Sequence, residues 1–216
     1  MHGSRSPRWA GAALVLAATV GQLLVATLAP DLPQFSGKAF GARLVFYPLL
    51  MLFVPVVWFL LHRGGRRPPW AGFTLVMAPF LVDVSGNTLD LYDTVVWWDD
   101  LLHFLNWCLL TLGLGTVLRV VDVRPRWARA AATVGGGALL ALLWEVGEWW
   151  TFIRHGTELD TAYEDTLGDM VLGTSGSAVA LAVLVLLPRL ARPARPRADP
   201  PAAVDPPAAG GAALGA

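Results

Sequence analysis

"RPRWARAAATVGGGALLALLWEVGEWW", residues 124–150, decides how this chain folds. Arg124, Arg126 and Arg129 crowd its start, Glu145 and Glu148 lie near its end, and no charge falls between. Crossing a hydrocarbon layer roughly 30 Å thick takes a helix of about 20 mostly apolar residues, which this stretch supplies. Trp127 at one end, and Trp149 with Trp150 at the other, stand where interfacial anchors belong. Glu145 and Glu148, three apart, share one helical face. A carboxylate at that depth costs about 3 kcal/mol or more if it faces lipid. The two glutamates therefore need partners from elsewhere in the chain.

The rest of the sequence has the same character. Its 216 residues are 55% hydrophobic and only 15% charged, with a mean hydropathy of +0.54. A soluble domain carries about 25% charged residues, so the deficit marks a membrane protein. Six apolar runs are long enough to span: about 9–29, 42–62, 70–91, 99–121, 127–152 and 167–188. Basic residues cluster in every second hydrophilic segment: Arg5 and Arg8; Arg63, Arg66 and Arg67; Arg119 to Arg129; Arg189 to Arg197. Only Lys38, Arg43 and Arg154 fall in the alternate segments. Positive charge stays cytoplasmic, which predicts six transmembrane helices with both termini inside. The first span is expected to be retained, because it outruns the roughly 7–15-residue core of a signal peptide and Pro30 would follow the cut. Residues 1–190 are read as the transmembrane domain. Residues 191–216, rich in Pro and Ala, are read as a disordered cytoplasmic tail that buries too little to offset its chain entropy.

Composition also excludes several functions. Formal net charge is zero, so no global field favours nucleic acid. The single cysteine, Cys108, rules out an intrachain disulfide framework and any multi-cysteine metal site. No nucleotide-binding loop, H-E-x-x-H or G-x-S-x-G occurs.

The acids carry the information. Of sixteen, only Asp122, Asp199 and Asp205 lie on the arginine-rich side. Along the third span Asp83, Asn87 and Asp90 form one stripe. In "WWDDLLHFLNW" the fourth span aligns Asp99 or Asp100 with His103 and Asn106. The fifth offers Glu145 and Glu148, and in "YEDTLGDMVLGTSGS" the sixth offers Asp165 and Asp169, with Ser177 deeper. At a rise of about 1.5 Å per residue, His103 lies about 7 Å below Trp98 and Glu145 about 6 Å below Trp149. Four polar stripes at one side of the membrane predict a shared site facing a cavity or one another. Several carboxylates there either carry protons or share a cation. Oxygen ligands suit Mg²⁺, Ca²⁺ or Mn²⁺, and one imidazole admits Zn²⁺, Mn²⁺ or Fe. The expected ligands of a divalent metal ion are Asp100, His103, Glu145, Glu148 and Asp169. Asp83, Asn87, Asp99, Asn106 and Asp165 complete the polar site. Interhelical hydrogen bonding alone, at about 1–2 kcal/mol per contact, accounts for Asn87, Asn106 and Ser177 but strains to account for the acids.

"WWDDLLHFLNW", "LLWEVGEWW" and "AYEDTLGDMVLGTSGSAVA" together resemble the YjdF-like family of bacterial inner-membrane proteins, over residues 83 to 180. More distantly the chain is similar to VanZ-type proteins. By motif the resemblance carries over to Asp99, His103, Glu145, Glu148, Asp165 and Asp169; it implies a bacterial plasma-membrane location and names no chemistry.

The expected protein is thus an all-α, polytopic six-helix membrane bundle with an outward-facing acidic site for a cation or a polar lipid headgroup. Two other readings stay open. One is a metal-dependent hydrolase or transferase acting on a lipid headgroup, with Glu145 or Glu148 as general base. The other is a proton- or ion-coupled transporter, for which intramembrane carboxylates are usual.

Overall fold

The computed structural model describes residues 7–62, 65–151, 153–155 and 161–190. The tail at 191–216 and the loop residues Glu158 and Asp160 lie outside them. The described residues form seven α-helices: α1 (Ala10–Leu28), α2 (Phe40–Leu61), α3 (Trp70–Thr88), α4 (Leu91–Thr94), α5 (Trp98–Val121), α6 (Arg126–Thr151) and α7 (Ala162–Leu190). A single 3₁₀ turn follows α6 at Ile153–His155.

Five of these helices, α1, α2, α5, α6 and α7, are long and apolar enough to cross a membrane. α3 matches α1 in length, at 19 residues, but Asp83, Ser85 and Asn87 near its C-terminal end lower its apolarity below that of the others. The surface agrees with a lipid environment. Phe46, Leu49 and Phe53 of α2 are 61%, 62% and 65% exposed, while Thr19, Thr111, Thr133 and Ser177 are buried. Apolar side chains outside and hydroxyls inside invert the soluble pattern, and only lipid would solvate such a surface without penalty. The buried hydroxyls are satisfied locally: Thr19 and Thr133 each donate to a carbonyl one turn back, and Thr111 pairs with Ser177 at 3.0 Å.

α5 is the central helix, packed against α3, α6 and α7, while α1 joins α3 to α2. The α5–α7 crossing is close because of Gly176, where a Cβ would collide with the Phe104 carbonyl oxygen. Small residues at such crossings let backbones approach where no hydrophobic force drives helices together. That crossing holds His103 of α5 near Asp169 of α7. Pro48 and Pro55 interrupt the hydrogen-bond ladder of α2 and Pro79 that of α3, which helices packed in a membrane tolerate.

One boundary differs from expectation. The third run was expected to continue to residue 91, carrying Asp90 on the stripe of Asp83 and Asn87. The helix instead ends at Thr88, and Asp90 turns the chain with a left-handed φ of 59° before α4. Aspartate tolerates that conformation better than most residues, which is why the break falls there.

Candidate functional site

His103 stands one turn above the level of Trp107 on α5 and is buried, at 7% exposure. Its two ring nitrogens face carboxylates from three helices. Nδ1 lies 3.3 Å from Oε1 of Glu145 on α6. Nε2 lies 3.8 Å from Oδ2 of Asp169 on α7, and 3.8 Å from Oδ1 of Asp99, one turn earlier on α5 itself. Glu145 and Asp169 are as buried as the histidine, at 3% and 4% exposure. Glu148, half-buried, brings its carboxylate close to both His103 and Glu145.

This arrangement is incomplete. Neither His103 Nδ1 nor Glu145 Oε1 makes a hydrogen bond, although each is buried and they face one another. A buried polar atom without a partner costs about 1–3 kcal/mol. A neutral imidazole also has only one N–H, so it satisfies carboxylates on one side and turns a lone pair to those on the other. One ligand atom from each of His103, Glu145 and Glu148 lies within 4.8 Å of the others, and the same holds for Asp99, His103 and Asp169. Each of these groups could hold a metal ion.

A second polar cluster lies opposite. Asp83 of α3 accepts from Arg43 Nη1 at 3.0 Å and from the Tyr47 hydroxyl at 2.7 Å, both on α2. Its other oxygen accepts from the Tyr92 hydroxyl of α4 at 2.6 Å. Burial, and then Asp83 itself, push the Tyr92 hydroxyl above the ordinary tyrosine range. Asn87 donates to the Asp83 carbonyl at 3.0 Å, and Lys38 pairs with Asp93 nearby. Every oxygen of this carboxylate is occupied.

Between the clusters lies a cavity of about 470 Å³. Arg43, Asp83, Asp99, His103, Asn106 and Glu148 line its polar part, and Phe80, Leu110 and Trp144 are among its apolar lining. Asn106 brings a buried side-chain oxygen that has no hydrogen-bond partner.

The structure thus brings together His103, Glu145, Glu148, Asp169 and Asp99, with Asp83, Asn87 and Asn106 around the adjoining cavity. Asp99 and Asp100 are both exposed; Asp99, four residues before the histidine, comes within 3.8 Å of Nε2, and Asp100 and Asp165 lie near enough to act on the imidazole electrostatically. Asp165 is exposed at the first turn of α7, where its charge favours the helix N-terminus. The sequence reading missed Arg43, Tyr47 and Tyr92. The available signal was Arg43 itself, a lone arginine on the acidic side, four residues before Tyr47 and so on the same helical face.

Residues 12–189 match a family model described as "Predicted membrane protein (DUF2238)". No curated protein and no solved structure matches the chain. The match covers most of the sequence, and the chain belongs to that family of membrane proteins.

Proposed function

We propose that this family member is a six-span bacterial inner-membrane protein that binds one divalent metal ion in an outward-open cavity, through His103 Nδ1, Glu145 and Glu148. The observation that carries this reading is the pair of buried, unbonded atoms, His103 Nδ1 and Glu145 Oε1, 3.3 Å apart. Two ligands held at about 2.0–2.2 Å from a common ion stand roughly 3.0–3.5 Å from each other, so the pair needs almost no movement to bind. On the other side of the ring, Nε2–H faces Asp169 and Asp99. Both carboxylates stand 3.8 Å from Nε2, and one of them drawn within hydrogen-bond reach would fix the tautomer and raise the basicity of the ligating nitrogen, as partners of metal-bound histidines do. A site of one nitrogen and carboxylate oxygens favours Mn²⁺, Fe²⁺ or Zn²⁺ over Mg²⁺ and Ca²⁺. With both glutamates as ligands, neither is free as the general base of a hydrolase until a coordination position opens.

In this reading α3 is the sixth span. Its polar outer end is tolerable in the bilayer because Asp83 faces Arg43, Tyr47 and Tyr92 rather than lipid. The alternation of arginines supports cytoplasmic termini and an external site. The likeness to YjdF-like proteins over residues 83 to 180 supports the same placement; the fainter likeness to VanZ-type proteins adds nothing to it. Reporter fusions after Arg66 and Arg124 should read cytoplasmic, and one after Asp93 external.

The test is calorimetric titration of Mn²⁺ and Zn²⁺ into detergent-purified, chelator-stripped full-length protein. One ion per chain should bind, and Glu145→Gln or Glu148→Gln should weaken it strongly. Wild-type protein that takes up neither ion would overturn the reading.

A further inference from the structure

The proposed metal site uses one side of the His103 ring; the other side carries a second set of donors. Asp99 Oδ1 and Asp169 Oδ2 each stand 3.8 Å from Nε2. One ligand atom from each of Asp99, His103 and Asp169 lies within 4.8 Å of the others. Asp169 marks this side as more than a patch of acids. Its side chain is only 5% exposed and faces Nε2, and among the described residues its carboxylate accepts no hydrogen bond. A buried carboxylate without a donor is the group that a cation satisfies. Basic side chains are spent elsewhere: Lys38 pairs with Asp93 and Arg43 with Asp83.

The two sets of donors differ in access and in width. Asp99 is 51% exposed and lines the cavity, whereas Glu145 is 3% exposed. Nε2 stands 3.8 Å from its carboxylates, against 3.3 Å from Nδ1 to Glu145. Two ligands at about 2.0–2.2 Å from one ion stand roughly 3.0–3.5 Å apart, so the Nε2 set must contract to bind and holds an ion less tightly.

The ring serves one side at a time. A neutral imidazole has one N–H and one free lone pair. An ion at Nε2 leaves the proton on Nδ1, facing Glu145; an ion at Nδ1 leaves it on Nε2, facing Asp99 and Asp169.

We propose that Asp99, Asp169 and His103 Nε2 form a second, weaker position for the divalent ion, which it occupies in passing between the outside and the Nδ1 position. As the ion moves inward the ring gives the proton of Nδ1 to water and takes one from water at Nε2, with no net proton release. This rests on the metal reading above and keeps one ion per chain.

The experiment uses full-length protein in detergent and Mn²⁺, with bound ion counted by electron paramagnetic resonance and histidine ligation read from the ¹⁴N modulation of its signal. Wild type should bind one ion. The double variant Glu145→Gln with Glu148→Gln, which lacks the Nδ1 set, should still bind one, about a hundredfold or more weaker, with the histidine signal kept. Adding Asp169→Asn should abolish that residual binding. Asp99→Asn, at an exposed position, should slow both the uptake of Mn²⁺ and its release to excess chelator about tenfold, while affinity changes little. Uptake slowed without release would mean that Asp99 only steers cations by its charge, and would overturn the proposal. So would unaltered rates, two ions held at once by the wild type, no residual binding in the double variant, or residual binding that survives Asp169→Asn; each of these leaves the Nδ1 site standing. If the double variant fails to fold, the two rates in Asp99→Asn decide. Wild-type protein that binds no Mn²⁺ would overturn both readings.

Discussion

Asp83 and Glu145 each bring a carboxylate into the polar part of the bundle, Asp83 on the wall of the cavity and Glu145 in the buried cluster beside it. Asp83 accepts three side-chain hydrogen bonds, from Arg43, Tyr47 and Tyr92; Glu145 Oε1 accepts none and faces a histidine nitrogen that is also unbonded. The first cluster is closed on itself and needs nothing more to be stable. The second leaves two buried, facing atoms without a hydrogen bond. In the proposed reading the difference separates what the fold uses from what it keeps for binding: a satisfied polar cluster fixes helices, and an unsatisfied one is proposed as a site.

Each half of that contrast can be broken. The largest effect is expected at the closed cluster. Asp83→Asn leaves the Arg43 guanidinium, 17% exposed, without its counter-charge, and thermal or denaturant unfolding in detergent should show a loss of about 3–5 kcal/mol. An unchanged stability would mean that Asp83 does not hold α2 to α3. At the open cluster, chelation should destabilise the protein by about 2.7 kcal/mol relative to metal at a hundred times its dissociation constant. Glu145→Gln should abolish that response, yet cost the metal-free protein little, since it removes a carboxylate that accepts no bond at Oε1. Equal sensitivity of the metal-free protein to Asp83→Asn and Glu145→Gln would erase the distinction between the two clusters.

A smaller effect tests the scaffold beneath them. Gly176→Ala should push α7 from the Phe104 carbonyl of α5 and cost about 1–3 kcal/mol. Because the same crossing sets the distance from His103 to Asp169, metal affinity should fall with it. The smallest is Tyr92→Phe, which removes one of three donors to Asp83 and should cost about 1 kcal/mol. The Tyr92 hydroxyl titrates above its unfolded value, so its contribution is complete below pH about 10 and is lost as the pH rises further. Melting series above that pH should therefore fall less steeply in Tyr92→Phe than in the wild type.

How much of this the sequence discloses depends on the physical term involved. Burial of apolar length against lipid is local and large, so hydropathy locates α1, α2, α5, α6 and α7 to within a few residues. The start of α7 is missed by about a turn because hydropathy discards Glu164 and Asp165, although acids in a first turn favour a helix. The end of α3 is missed because a left-handed Asp90 leaves no trace in a periodic pattern. Within the site, the depth of each acid follows from helical rise, but its azimuth depends on how helices rotate against one another. Neighbouring residues on a helix point about 100° apart, so Asp99 comes within 3.8 Å of the His103 ring while Asp100, also exposed, points elsewhere on α5. Arg43 stands out in the sequence as a lone arginine, but its partner and that of Tyr47 appear only once α2 is placed against α3, and Tyr92, nine residues from Asp83, reaches it only because the chain turns at Asp90.

The central claim, that the open cluster is a metal centre built on His103, is tested most directly by zinc K-edge X-ray absorption on the stripped protein reconstituted with one equivalent of Zn²⁺. The account predicts a first shell of one imidazole nitrogen with the remaining ligands oxygen, at about 2.0–2.2 Å, and no sulfur. Glu145→Gln, which substitutes a weak neutral ligand for a carboxylate, should lose the ion or change that shell. A shell with two or more imidazoles, a sulfur ligand from Cys108, or a spectrum unchanged by Glu145→Gln would contradict the account.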